Sequence, residues 1–271
     1  MEFLRGASQY LQVKLKAPLE DWLGFDHPAL VGKHVLETEG LVMLVFRPGD
    51  INEILRAVLD YRPGVQVLET GLSPSPGPLF GYRRRYSERL RVVSPGQGVE
   101  PRPGEIVIKS NLSFGSGFHP TTELSILLLE EVFRLRKVST VFDLGTGSGI
   151  LALAAVHLGA EKVLAADIDA RACVEAKENV CLNRKDGQIL VVSGSLDCAR
   201  PAIFDLLLAN LTIGTILTLA PSLPQPLRPG GLLLLSGFVE AQQNDVLRAF
   251  PQAQLLYKQS LEGWQALLLS L

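Results

Sequence analysis

The stretch that decides the fold is Val141-Phe142-Asp143-Leu144-Gly145-Thr146-Gly147-Ser148-Gly149. Residues 140–142 are apolar or β-branched and predict a short buried strand. The apolar run 150–158, closed by Gly159, predicts a helix. A strand, a glycine-rich turn and a helix N-terminus bring backbone N–H groups close to a bound ligand, as nucleotide sites require. The stretch therefore predicts an α/β domain that holds a nucleotide-like ligand at this turn.

The spacing of the glycines separates two kinds of nucleotide site. A dinucleotide fingerprint has its third glycine further along the chain and needs no acid before the first one. Here Gly145, Gly147 and Gly149 alternate closely after Asp143. A carboxylate at that position would repel a pyrophosphate but suits a cationic amino group, such as that of a methionine moiety. We therefore predict S-adenosylmethionine rather than NAD as the cofactor; a glycine-rich turn in another α/β protein is the alternative.

A second acid follows about 20 residues after the glycine turn, the distance typical of nucleotide-binding units. Residues 162–167 predict a strand that ends at Asp167, whose carboxylate is placed to accept hydrogen bonds from both ribose hydroxyls. Asp169 is better explained as the N-cap of the next helix, because aspartate is a preferred N-cap residue. Asp167 and the neighbouring Ile168 join the glycines as candidate cofactor-binding residues.

Composition narrows the class of protein. The 271 residues are 47% hydrophobic, carry a net charge of −2 and include three cysteines. No apolar run approaches the ~18 residues that span a bilayer, and the N-terminus lacks a signal-peptide pattern. The cysteines are odd in number and form no Cys-x-x-Cys pair, which indicates neither a disulfide framework nor a zinc site. We therefore expect a cytoplasmic protein without a metal, and neither DNA nor a membrane as its partner.

One segment is locally basic. Residues 83–91 contain five arginines, and Tyr82 and Tyr86 flank the first three of them. A solvated linker is the simpler interpretation of this segment. A contact strip for an acidic or RNA-bearing partner is the alternative.

The chain divides into three parts by pattern. Residues 1–70 follow the order β-α-β-β-α-β, which predicts a small ferredoxin-like α+β domain, and without a convergent acid–base set we expect a substrate-recognition role. Residues 71–104 are rich in proline and glycine and predict a connector. Residues 105–271 predict a Rossmann-like sheet of seven strands, the sheet of class I methyltransferases. Its last two strands, near 255–258 and 266–269, leave no room for a crossover helix and should pair antiparallel.

The expected chemistry points to one polar residue. Methyl transfer from a sulfonium needs little acid–base help, so the protein must align the reactants and exclude water. Asn210 follows the strand predicted at 204–209, at the edge where ligands bind in such sheets. Its amide oxygen can accept a hydrogen bond from an amine nucleophile. A simple turn residue at the end of a strand is the alternative.

A second candidate segment, residues 111–122, leads into a helix that Pro120 can start. Its glycines allow close backbone approach, its phenylalanines offer apolar walls and its threonines offer hydroxyl groups: Gly115, Gly117, Phe114, Phe118, Thr121 and Thr122. His119 is a base near neutral pH or, with equal weight, a structural hydrogen-bonding residue.

Together, the runs 114–122, 143–155 and 167–169 resemble the methyltransferases of large-subunit ribosomal protein L11. Ala209-Asn210-Leu211 and Gly263-Trp264 are similar to the same family, and the resemblance covers roughly residues 85–271. It implies a protein N-methyltransferase that uses S-adenosylmethionine, has a separate recognition domain and acts on a ribosomal protein. It also implies that residues 114–122 close over the cofactor and that Asn210 and Leu211 face the amine. A small-molecule methyltransferase and a non-catalytic S-adenosylmethionine-binding module are the alternatives.

Overall fold

The computed structural model describes residues 10–17, 19–22, 25–36, 41–47, 49–73, 82–95, 100–109 and 119–271. The chain forms two compact units: Met1–Arg84 with Val92–Glu105, and Arg85–Arg91 with Ile106–Leu271. The glycine turn belongs to the second unit. Within the described ranges, no helix is long and apolar enough to cross a membrane.

The first unit is a four-stranded antiparallel sheet with one helix. Its elements are β1 (Tyr10–Lys16), β2 (Leu30–Leu36), β3 (Leu41–Phe46), α1 (Ile51–Tyr61) and β4 (Gln66–Ser73), and the strand order is β2-β3-β1-β4. A single 3-10 turn, Leu19–Trp22, stands where the first helix was predicted. α1 begins after Asp50, whose side chain accepts a hydrogen bond from the Asn52 N–H. Ile54 and Val58 of α1 pack into the core of this unit.

The connector was predicted to begin at residue 71, but β4 continues to Ser73. Gly71 and Ser73 belong to β4, where they pair with Gln12 and Tyr10 of β1. The ladder therefore continues past residue 70, because β1 offers it a full-length partner. The proline-rich stretch 74–78 lies outside the described residues. Two short strands, β5 (Tyr82–Arg85) and β6 (Arg91–Ser94), also lie in the predicted connector.

The second unit alternates strands and helices. Its elements are β7 (Ile106–Val107), α2 (Pro120–Leu135), β8 (Thr140–Leu144), α3 (Ile150–Leu158), β9 (Lys162–Asp167), α4 (Ala170–Leu182), β10 (Ile189–Ser193), β11 (Phe204–Asn210), α5 (Ile213–Leu219), β12 (Leu227–Val239), α6 (Gln243–Ala249), β13 (Gln254–Leu261) and β14 (Trp264–Ser270).

Seven of these strands form one sheet in the order β10-β9-β8-β11-β12-β14-β13. β10, β9, β8, β11 and β12 pair in parallel, and β14 lies antiparallel to β12 and to β13. The predicted sheet, mostly parallel with an antiparallel end, is confirmed. The central strands are buried on both faces, which explains apolar runs such as residues 206–209 and 232–235. The carboxyl ends of the parallel strands share one edge, where a ligand site is expected.

Two arginines of the arginine-rich segment, Arg85 and Arg89, make contacts within the second unit. The Arg85 guanidinium donates to the Ser87 carbonyl at 3.2 Å and lies 3.8 Å from Glu88. Arg89 donates to the carbonyl of Leu158, the last residue of α3, at 3.5 Å. A cation at a helix C-terminus is favourable because the last carbonyls carry partial negative charge. These contacts favour a structural role over a free contact strip.

Candidate active site

The glycine turn joins β8 to α3 along a path that needs glycine. Gly145 and Gly147 have φ angles of 74° and 56°, a region that side chains with a Cβ rarely adopt. A Cβ on Gly145 would lie 2.3 Å from Cδ2 of Leu211. The Gly145 N–H donates to the carbonyl of Ala166 at 2.8 Å, which ties the turn to the end of β9. Gly149 is the N-cap of α3 and packs against α4 rather than lining a cavity.

Asp143 lies beneath the turn and not on a cavity wall. Its side chain is 1% exposed, and Oδ2 accepts hydrogen bonds from Thr146 Oγ1 at 2.6 Å and from the Ala152 N–H at 3.1 Å. Burial raises the pKa of Asp143 to about 7, although both hydrogen bonds favour the charged form. The Asp143 side chain therefore does not reach the cavity, and its two hydrogen bonds hold the turn and the start of α3.

Asp167 ends β9 and reaches the cavity directly. Its Oδ2 accepts the Gly147 N–H at 2.9 Å, and its Oδ1 accepts the Asp169 N–H at 2.9 Å. Each oxygen retains a further lone pair for a ligand hydroxyl. Asp169 caps α4 as predicted, because its Oδ1 accepts the Arg171 N–H. Ile168 is 82% exposed and lines the same cavity.

Asn210 ends β11, which neighbours β8 on the side away from β9, and it lines the same cavity. Its Nδ2 donates to Thr122 Oγ1 at 3.4 Å, which fixes the amide plane. Leu211, the next residue, donates its N–H to Ser236 at 3.0 Å. Gly237 lets this backbone pass, since a Cβ there would lie 2.0 Å from the Leu211 carbonyl oxygen. The neighbouring strand β12 thus holds the backbone of Asn210 and Leu211 in place.

His119 is the N-cap of α2. Its Nδ1 accepts the Thr121 N–H at 3.3 Å and lies 2.8 Å from Thr121 Oγ1. The ring also contacts Trp264 edge-to-face, with centroids 4.6 Å apart. Burial lowers the pKa of His119, and the charge of Glu262 opposes that effect. This geometry favours the structural interpretation of His119 over the catalytic one.

One cavity of about 780 Å³ collects most of the predicted residues. From the prediction it includes His119, Thr121, Gly145, Gly147, Asp167, Ile168, Asn210 and Leu211. Phe114, Gly115 and Gly117 lie outside the described residues, as does Phe118. In the part of the chain that the structure describes, no cluster of three or more His, Cys, Asp or Glu side chains could hold a metal ion.

The prediction missed Gly237 and Trp264 of the cavity wall, and two larger parts of it as well. Gly194 and Ser195 follow β10, and the rule that ligands bind at the carboxyl ends of parallel strands could have located them. The other part is contributed by α5, through Thr215 and Thr218 among others. No local motif marks those threonines, because their place depends on how α5 packs against the sheet.

The strand order, the antiparallel β14 and the glycine turn after β8 together define a class I methyltransferase fold. A family model described as ribosomal protein L11 methyltransferase matches residues 84–270, more than half of the chain. The chain belongs to the ribosomal protein L11 methyltransferase family. This confirms the resemblance that the sequence motifs indicated.

Individual relatives agree with the family assignment. The chain is 40% identical over 181 residues to a ribosomal protein L11 methyltransferase of Pelobacter propionicus, covering 65% of this chain and 58% of that protein. It is 37% identical over 211 residues to one of Chloroflexus aurantiacus, covering 68% and 64%. The chain thus matches less than two thirds of the length of these curated relatives. A crystal structure of a ribosomal protein L11 methylase from Lactobacillus delbrueckii subsp. bulgaricus superposes with a TM-score of 0.62 and 32% identity, over 70% of this chain and 98% of that one.

Proposed function

We propose that this chain is an S-adenosylmethionine-dependent N-methyltransferase that acts on an amino group of a ribosomal protein, L11 or a relative of it. The observation that carries the proposal is the joint position of Asp167 and Asn210, because both line one cavity beside the glycine turn. Membership of the family supports the same activity. We also infer a cytoplasmic location, where such a substrate is synthesised.

The cavity residues fit S-adenosylmethionine. The side of Gly145 that a Cβ would fill is occupied by Leu211, so only glycine lets the turn pack against the residue that follows β11. Asp143 below the turn and Asp167 on the wall give the site negative charge, which suits a ligand with an ammonium and a sulfonium. The volume lies within the range of small-molecule sites. When bound, the cofactor supplies an electrophilic methyl group on its sulfonium sulfur.

The side chains would divide the work. Asp167 would accept hydrogen bonds from the ribose hydroxyls, and the charge on the carboxylate strengthens such bonds. Asn210 would orient the neutral amine through Oδ1, since its Nδ2 already donates to Thr122. Leu211 and Trp264 would exclude water from the apolar side of the cavity. The main contribution of the chain is alignment rather than proton transfer.

The test is methyl transfer from isotopically labelled S-adenosylmethionine to ribosomal proteins, with the modified protein identified by mass spectrometry. We expect label in ribosomal protein L11 or a relative. Asn210→Ala should lower kcat on the order of 100-fold and change the cofactor Kd by less than about threefold, because the interaction matters only near the transition state. Asn244→Ala, an exposed position on α6, is the matched control and should leave both constants unchanged.

Other outcomes would point elsewhere. Equal losses of turnover and cofactor affinity in Asn210→Ala would make Asn210 a cofactor residue. Label confined to small molecules of an extract would support the small-molecule alternative. Tight cofactor binding without transfer to any acceptor would support the non-catalytic module.

A further inference from the structure

Asn179 of α4 is fully buried, and its side chain uses both amide protons and its oxygen on backbone groups. Nδ2 donates to the carbonyl of Ser148 at 2.9 Å and to the carbonyl of Lys109 at 3.1 Å. Oδ1 accepts the Lys109 N–H at 2.8 Å. A single amide therefore joins two segments that are distant in sequence, and each of its hydrogen-bonding groups is engaged.

The first of those segments is the glycine turn. Ser148 stands between Gly147, whose N–H donates to Asp167, and Gly149, which caps α3 without a side-chain hydrogen bond. A Cβ on Gly149 would lie 3.4 Å from the Cβ of Ala176, three residues before Asn179 on α4. α4 thus supports the turn at two points, through the small side chain of Ala176 and through the amide of Asn179.

The second segment is bound by two asparagines in a regular pattern. One helical turn after Asn179, Asn183 accepts the Val107 N–H at 2.8 Å and donates to the Val107 carbonyl at 2.6 Å. Four residues of a helix rise about 6 Å, and two residues of a strand span about 6.6 Å. The two side chains therefore meet alternate residues, Val107 and Lys109, much as a neighbouring strand would.

Asn183 is half-buried, and its Nδ2 also donates to the Asn179 carbonyl at 2.7 Å. The difference that carries the inference lies in the glycine turn. Both hold the 107–109 backbone, but only Asn179 also holds the carbonyl of Ser148 in the glycine turn. We propose that Asn179 is a positioning residue for cofactor binding, which acts by fixing the turn that carries the Gly147 N–H. The proposal rests on the proposed function in so far as the ligand is S-adenosylmethionine.

The experiment compares Asn179→Ala with Asn183→Ala by three measurements: unfolding in urea, Kd for S-adenosylmethionine by calorimetry, and kcat at saturating cofactor. Both variants should lose stability, because each leaves backbone groups without a partner. Asn179→Ala should weaken cofactor binding about five- to tenfold with kcat nearly retained. Asn183→Ala should change Kd by less than about twofold. Equal Kd values for the two variants would overturn the proposal.

Two additions keep the test decisive. If Asn179→Ala does not fold, Asn179→Asp keeps the shape and the acceptor for the Lys109 N–H but loses the donors to the Ser148 and Lys109 carbonyls, and a rise in Kd at least as large is expected. If the wild-type chain does not bind S-adenosylmethionine, the proposed function fails, and amide hydrogen exchange of Gly147 and Gly149 then decides on Asn179. Faster exchange in the Asn179 variant alone supports the positioning role, and unchanged exchange contradicts it.

Discussion

A carboxylate near the amino end of the central sheet has a lowered pKa, and a buried one near the carboxyl end has a raised pKa. At the amino end of β11, Asp205 accepts the N–H groups of Ser139 at 2.8 Å and Thr140 at 2.9 Å and pairs with Arg228 at 2.9 Å. Burial pushes the pKa of Asp205 up, but these hydrogen bonds and the Arg228 charge outweigh burial and hold that pKa below its ordinary value. The amino end is electrostatically satisfied by the chain itself.

Asp143, on the neighbouring strand β8, has a different environment. Burial raises its pKa to about 7, and the charge of Asp167 acts in the same direction. Among the described residues, no ion pair offsets that charge. The fold thus pairs Asp205 with an arginine, and it leaves Asp143 with two hydrogen bonds but, among the described residues, without an ion pair. A local departure from good packing electrostatics is typical of a functional site, and here it suits a cationic ligand.

Among the substitutions that test this comparison, Asp205→Ala should have the largest effect, because it removes the carboxylate that pairs with Arg228. We expect the free energy of unfolding to fall by about 3 kcal/mol, since hydrogen bonds to a charged group contribute roughly 1.5–3 kcal/mol each and leave backbone donors buried when lost. Arg228 is 46% exposed, so its ion pair adds little. Urea unfolding measures the loss, with the exposed Asp186→Ala as control. A changed cofactor Kd would show that the two ends are not independent.

Asp167→Ala tests the carboxyl end of the sheet. It should affect cofactor affinity more than stability, whereas Asp205→Ala should affect stability and not cofactor affinity. The variant loses two charge-assisted acceptors, so cofactor affinity should fall ten-fold or more. Stability should fall by about 1–2 kcal/mol, less than in Asp205→Ala, because the Gly147 N–H bond is only partly buried and the Asp169 N–H bond is exposed. Calorimetric titration with S-adenosylmethionine measures the affinity, again beside Asp186→Ala. Unchanged affinity in a folded variant would remove Asp167 from the site.

Asp143→Asn should change the pH dependence more than the affinity at one pH. The folded pKa lies above the unfolded value of 3.8, so the contribution of this group to stability is present below that value and is lost as the pH rises toward 7. The variant should lack that loss in urea unfolding. A cationic ligand favours the ionised carboxylate, so wild-type affinity should rise several-fold between pH 6 and pH 8, and the variant should stay flat. A wild-type affinity that is constant over this range contradicts the electrostatic role.

The sequence predicted those site residues that a local pattern marks at the end of a strand. Asp167 and Asn210 follow buried runs directly, so periodicity and the sheet rule located both. It did not predict that Asp143 lies under the turn, because that position depends on the path of the glycines above it. Nor did it find Asn179, which lies 31 residues beyond its partner Ser148 and meets it only when α4 packs against the glycine turn. Contacts between distant elements are set by packing, and no local pattern records them.

Substitution of His119 should have the smallest effect, and it distinguishes an N-cap of α2 from a catalytic base. Its pKa is lowered by burial, with Glu262 acting against that shift, so its contribution to stability is present above the unfolded value of 6.5 and is lost as the pH falls through the folded pKa. Protonation would also affect the start of α2 directly, because a protonated Nδ1 cannot accept the Thr121 N–H. Asparagine is a strong N-cap that does not titrate in this range. His119→Asn should therefore match wild-type stability at pH 7.5 within about 1 kcal/mol and lose less of it by pH 5, as urea unfolding at the two pH values would show. Turnover at pH 7.5 should fall by no more than a few-fold, since no proton passes through the cap. A folded His119→Asn variant with turnover reduced on the order of 100-fold would instead assign the ring to catalysis.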